Sequence, residues 1–65
     1  MTVYCLMARC EENGVKFEEL ITILKTKEDA DEVVNNFNKL LKDHNAKFGQ
    51  NRVIEYFIRE KDVEE

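Results

Sequence analysis

From Thr2 to Cys10 the chain is apolar at odd and even positions alike, with Arg9 the one charged residue. A short run of that kind is the pattern of a strand covered on both faces. Glu11, Glu12, Asn13 and Gly14 interrupt it, and Asn-Gly accepts the two positive φ angles of a type I′ hairpin turn. A second extended run covers Val15 to Lys25. With Asn13 and Gly14 at the turn centre, Glu12 faces Val15, Cys10 faces Phe17, Leu6 faces Ile21 and Tyr4 faces Ile23. On the other side Glu11 meets Lys16, Arg9 meets Glu18, Met7 meets Leu20 and Val3 meets Leu24. Two opposite-charge pairs follow from this register without adjustment, each worth roughly a few tenths of a kcal/mol.

At Thr26 the period changes from two to that of a helix. Thr26-Lys27-Glu28-Asp29 offers an N-cap hydroxyl with an acid three residues on, a variant of the capping box. Apolar residues then recur at Ala30, Val33, Val34, Phe37, Leu40 and Leu41, an amphipathic stripe. Glu28, Asp29, Asp31 and Glu32 crowd the first turns and Lys39, Lys42 and Lys47 gather toward the end, both complementing the helix dipole. Gly49 is placed to terminate the helix. Arg52 to Arg59 alternates again as a third strand, with Ile54, Tyr56 and Ile58 on one face and Val53, Glu55, Phe57 and Arg59 on the other. The charged tail, residues 60–65, is expected to fray. Residues 1–65 form a single domain without repeats or a linker.

The order strand, strand, helix, strand defines an α+β fold of ββαβ type. A right-handed crossover through the helix makes the second and third strands parallel. The first, apolar on both sides, belongs between them, giving a three-stranded sheet of order 2-1-3, the split βαβ arrangement. One helix, about 10 Å across, covers one face of three strands spaced about 4.8 Å apart. Tyr4, Leu6, Ala8, Cys10, Phe17, Ile21, Ile23, Ile54, Tyr56 and Ile58 form the more apolar face, which takes the helix. The opposite face holds Val3, Cys5, Met7, Leu20, Thr22, Leu24, Val53 and Phe57, rimmed by Arg9, Glu18, Glu55 and Arg59. It is too apolar to sit comfortably in water, so Val3, Cys5, Met7, Leu20, Thr22, Leu24, Val53, Glu55 and Phe57 are the candidate interface. The plainer reading is a solvent face over which the charged side chains fold.

Size sharpens that expectation. A domain of 65 residues buries about 60% of its unfolded surface, and chains this small usually add a disulfide, a metal or a partner. Cys5 and Cys10, in one strand, lie roughly 16 Å apart, too far for a disulfide. His44 is the single histidine, so no paired metal-ligand spacing exists, and with two glycines there is no phosphate-cradling loop. No cofactor is expected. A partner chain remains: a second copy, another protein, or both. A net charge of −4, with basic residues scattered among acids, argues against nucleic acid. No run approaches a membrane span and no signal segment is evident, so a cytoplasmic location is expected.

Candidate catalytic groups are sparse. Cys5 reads as a small buried hydrophobe and Cys10, nearer the turn, as a more exposed incidental thiol. His44 continues the helix stripe and reads as a capping or half-buried residue rather than a catalytic one. Glu19 falls on the helix-covered side opposite Ala8, where a bulge or an edge position must let it reach water. The chain is not expected to be an enzyme. The acids at the helix start are explained by the dipole, with nucleic-acid mimicry the alternative.

The hairpin Val3 to Leu24, the helix opening Thr26-Lys27-Glu28-Asp29-Ala30 and the closing strand Val53 to Arg59 together resemble a broad group of very small ββαβ proteins of phages and bacteria. That resemblance is architectural and implies an inhibitor of a host or defence protein that binds stoichiometrically. The expected function is therefore a non-catalytic protein-binding module, a homodimer. The alternative is a regulatory domain holding a small molecule or nucleotide in a dimer cleft.

Overall fold

The computed structural model describes residues 1–49 and 52–64. Four elements follow in order: β1 (Thr2–Glu12), β2 (Val15–Leu24), α1 (Lys27–Phe48) and β3 (Val53–Asp62). They form a three-stranded sheet of order β2-β1-β3, with β1 antiparallel to both neighbours. β2 and β3 therefore run parallel to each other, joined through α1. This is the expected α+β, ββαβ fold.

Local chemistry fixes each junction. Asn13 and Gly14 both adopt positive φ, 54° and 81°, the left-handed pair that a tight hairpin turn requires. The Thr26 side chain, on an extended backbone, accepts the Asp29 N–H at 3.2 Å and caps the helix. At the other end Gly49, at φ 85°, returns its N–H to the Asn45 carbonyl at 3.1 Å. β3 continues beyond the expected Arg59. Val63 donates its N–H to the Met1 carbonyl at 2.8 Å, and the Thr2 hydroxyl donates to Asp62 at 2.8 Å. Residues 60–62 are thus part of the sheet; Glu65 lies outside the described residues.

The hairpin register holds from Glu12↔Val15 to Met7↔Leu20 and then slips by one residue. Leu6 pairs with Thr22, Cys5 with Ile23 and Tyr4 with Leu24, so Ile21 is the extra residue of a bulge. The expected pairs Leu6–Ile21, Tyr4–Ile23 and Val3–Leu24 are replaced. A second irregularity sets Arg9 against Glu55 and Cys10 against Val53, leaving Ile54 over. Residues directly opposite in a sheet share a face. Thr22, Leu24 and Val53, expected on the open face, therefore belong to the helix side, while Ile23 joins the open face. Ile54 is correspondingly 47% exposed rather than part of the core.

The core is small. Leu6, Ala8, Cys10 and Ala30 are fully buried, and Ala8 and Cys10 pack with Leu41 and Val53, flanked by Phe17 and Tyr56. The Phe37 and Tyr56 rings meet edge to face, 5.2 Å between centroids. Cys10, expected near the surface, is among the most enclosed side chains because its register partners Phe17 and Val53 close over it. α1 lies closest to β3 and furthest from β2, so most of β2 is exposed. The result is flat: the radius of gyration is 13.1 Å, against about 11 Å for a compact domain of this length.

Candidate interaction surface

The face turned away from α1 is built in rows across the strands. Ile23, Cys5 and Arg59 form one row, Leu20, Met7 and Phe57 the next, and Glu18, Arg9 and Glu55 the third. Of the expected interface residues, Val3, Cys5, Met7, Leu20, Glu55 and Phe57 are brought together here. Val3 and Cys5 are almost fully buried within the face, and Met7 and Phe57 are half-buried. Leu20 and Ile23, on the β2 side, are 55% and 54% exposed.

Electrostatics organises the β3 side of the same face. The Arg9 and Arg59 guanidiniums stand 5.0 and 5.5 Å from the centroid of the Phe57 ring, within the range of cation–π attraction. Arg9 pairs with Glu55, and Arg59 reaches across β1 to Glu18 at 2.9 Å. Glu18 stands opposite Arg9 as the register requires, yet each takes its partner from β3, because Phe57 offers both guanidiniums a platform there. Each pair is about half exposed and contributes about 0–1 kcal/mol. The charged side chains therefore shelter Phe57 and Met7 but leave Leu20 and Ile23 bare.

A second apolar region lies along α1. Leu40 and Phe48 are 66% and 76% exposed, and Phe37, Leu40, Leu41, His44 and Tyr56 line a shallow groove of about 270 Å³. His44 is exposed rather than half-buried, its ring tilted against Phe48 with the centroids 5.1 Å apart. Leu40 belongs to the expected stripe, but the stripe with His44 and Phe48 is wider than the sheet beneath can cover. The width of that stripe is the signal from which this region is legible.

Burial pushes the Cys10 thiol above its ordinary pKa, with the Glu19 charge acting in the same direction. Glu19 faces the helix side opposite Ala8 at the sheet edge and accepts a hydrogen bond from Arg52 at 3.2 Å. The edge position is what lets its carboxylate reach water and a cation. Cys5 and Cys10 are both free and buried. Among the described residues no group of three His, Cys, Asp or Glu side chains is placed to hold a metal ion. No helix among them is long and apolar enough to cross a membrane.

No known protein family matches the chain, and no curated protein or solved structure is detectably similar to it.

Proposed function

We propose that this chain is a non-catalytic protein-binding module of the cytoplasm, self-associating as a homodimer and acting by stoichiometric occlusion of a partner protein. One observation carries the reading. The single chain exposes 5081 Å², whereas a compact monomer of its 7.7 kDa mass exposes about 4,300 Å². The excess is close to the roughly 800 Å² that each side of a standard-size protein interface covers. Apolar residues stand in it: Val15, Leu20, Ile21 and Ile23 on β2, and Leu40 and Phe48 on α1. The partner surface is the open sheet face, where charged residues flank apolar ones, as at the polar rim and apolar centre of a recognition patch. The architectural resemblance to small ββαβ proteins of phages and bacteria supports inhibition as the mode of action.

The test uses immobilised wild-type chain and a Phe57→Glu variant to capture partners under equal conditions. A protein recovered stoichiometrically by the wild type and lost with Phe57→Glu is the expected result. Equal recovery by both variants, or none alongside stabilisation by a metabolite, overturns the reading. The groove on α1 supports the small-molecule alternative less well, being below the roughly 300 Å³ at which ligand pockets begin.

A further inference from the structure

The two edges of the sheet are finished differently. On β3 the Asn38 side chain accepts the Tyr56 N–H at 2.8 Å and donates to the Tyr56 carbonyl at 3.0 Å. Those are the two bonds a neighbouring strand would make, so the outer edge of β3 is stopped near its middle. No side chain among the described residues caps the backbone of β2 in this way. β2 also lies furthest from α1 and carries four of the exposed large apolar residues, Val15, Leu20, Ile21 and Ile23.

The hairpin register tells which backbone groups of β2 are free. Glu12 and Val15 close a two-residue turn and form a hydrogen-bonded pair, so by alternation Cys10–Phe17 and Ala8–Glu19 are bonded pairs too. Lys16, Glu18 and Leu20 consequently turn their N–H and C=O groups outward. We propose that a second copy of this chain pairs antiparallel with the β2 edge over residues 14–20. The two-fold axis passes through Phe17 and joins two sheets into one of six strands. The proposal rests on the self-association in the reading above and names the surface that carries it.

Charge selects both the occupant and the register. An axis at Phe17 sets Lys16 opposite Glu18 of the second copy and Glu18 opposite its Lys16, each a hydrogen-bonded pair on the open face. Lys16 makes no ion pair within its own chain among the described residues, so its ammonium is available. Axes at Lys16, Glu18 or Glu19 place like charges face to face, and an axis further along runs into the bulge at Ile21. Like charges directly opposed are destabilising. The Lys-Phe-Glu segment is thus complementary to itself in one register, which an unrelated strand has no reason to be. Ahead of the bulge the edge is also regular enough to pair, while Ile21 limits its length.

Light scattering across a wide concentration range tests this on the full chain. The wild type should reach twice the 7.7 kDa chain mass. Lys16→Glu and Glu18→Lys should each weaken the dimer about tenfold or more, since both create two like-charge pairs. The double variant, and an equimolar mixture of the two single variants, should recover it, because both restore opposite charges. Lys16→Ala, which removes attraction without adding repulsion, gives an intermediate value and guards against a folding defect in the swaps. A wild type that stays monomeric throughout overturns this proposal and the homodimer part of the function together. A dimer indifferent to Lys16→Glu, or swaps that the mixture fails to rescue, overturn the edge alone and leave the protein-binding reading standing.

Discussion

Cys10 has no exposed surface, and its thiol donates a long bond to the Ala8 carbonyl at 3.8 Å. Burial raises its pKa, and the charge of Glu19 adds to the effect. An unfolded thiol loses its proton around pH 8.5, whereas the folded one keeps it to a higher pH. Between those two values the folded state binds more protons, so stability is full below the ordinary thiol pKa and declines as the pH rises above it. Urea unfolding of the wild type should show this decline above about pH 8, and Cys10→Ala should lessen it. The same burial makes the thiol a poor nucleophile. Reaction with an aromatic disulfide reagent should be slow in the native protein and accelerate as urea unfolds it. Fast native labelling of Cys10 would show that the core opens locally. Sequence spacing alone places Cys10 beside an exposed turn; what reverses that is the closure of Val53 over it, which depends on a bulge in another strand.

At the scale of elements, the Asn38 amide joins helix and sheet. Asn38→Ala removes both of its bonds and leaves the half-buried backbone of Tyr56 unpaired, a loss of about 1–3 kcal/mol in urea unfolding. It also frees the β3 edge, so light scattering should show species larger than the wild type. Asn38→Asp keeps an acceptor for the Tyr56 N–H but loses the donor to its carbonyl, and should fall between the two. The elements themselves were legible in the chain because their signals are local: Asn13-Gly14, the Thr26 cap, the stripe of α1 and the Gly49 stop. Strand order followed from connectivity. The two bulges were not legible, and the reason is physical. Both fall where neighbouring residues are alike, Leu20 to Leu24 and Val53-Ile54, so either parity buries an apolar side chain and alternation no longer pins the register. That ambiguity moved Thr22, Leu24 and Val53 off the expected interface and put Ile23 onto it.

The whole molecule is a thin plate, 42 × 25 × 11 Å, whose one helix cannot cover both faces or both edges. Composition anticipates that shortfall, since a chain of 65 residues has little core to build. Where the bare surface lies is a property of the helix's placement over β3, which no periodicity along the chain encodes. If association supplies part of the missing burial, folding and assembly are linked, and stability rises with chain concentration. Thermal unfolding should then shift upward as concentration increases in the wild type. In Lys16→Glu the midpoint should be insensitive to concentration and lie slightly below the dilute wild-type value, because the new carboxylate stands opposite Glu11 of its own hairpin. Phe57→Glu, which alters the open face but not the β2 edge, should keep the concentration dependence while lowering the midpoint at every concentration. This separation follows from the geometry: Phe57 sits on β3 among Arg9 and Arg59, two strands away from the backbone groups that Lys16 and Glu18 turn outward. A concentration dependence abolished by Phe57→Glu and retained by Lys16→Glu would instead make the open face the self-association surface, leaving the β2 edge free.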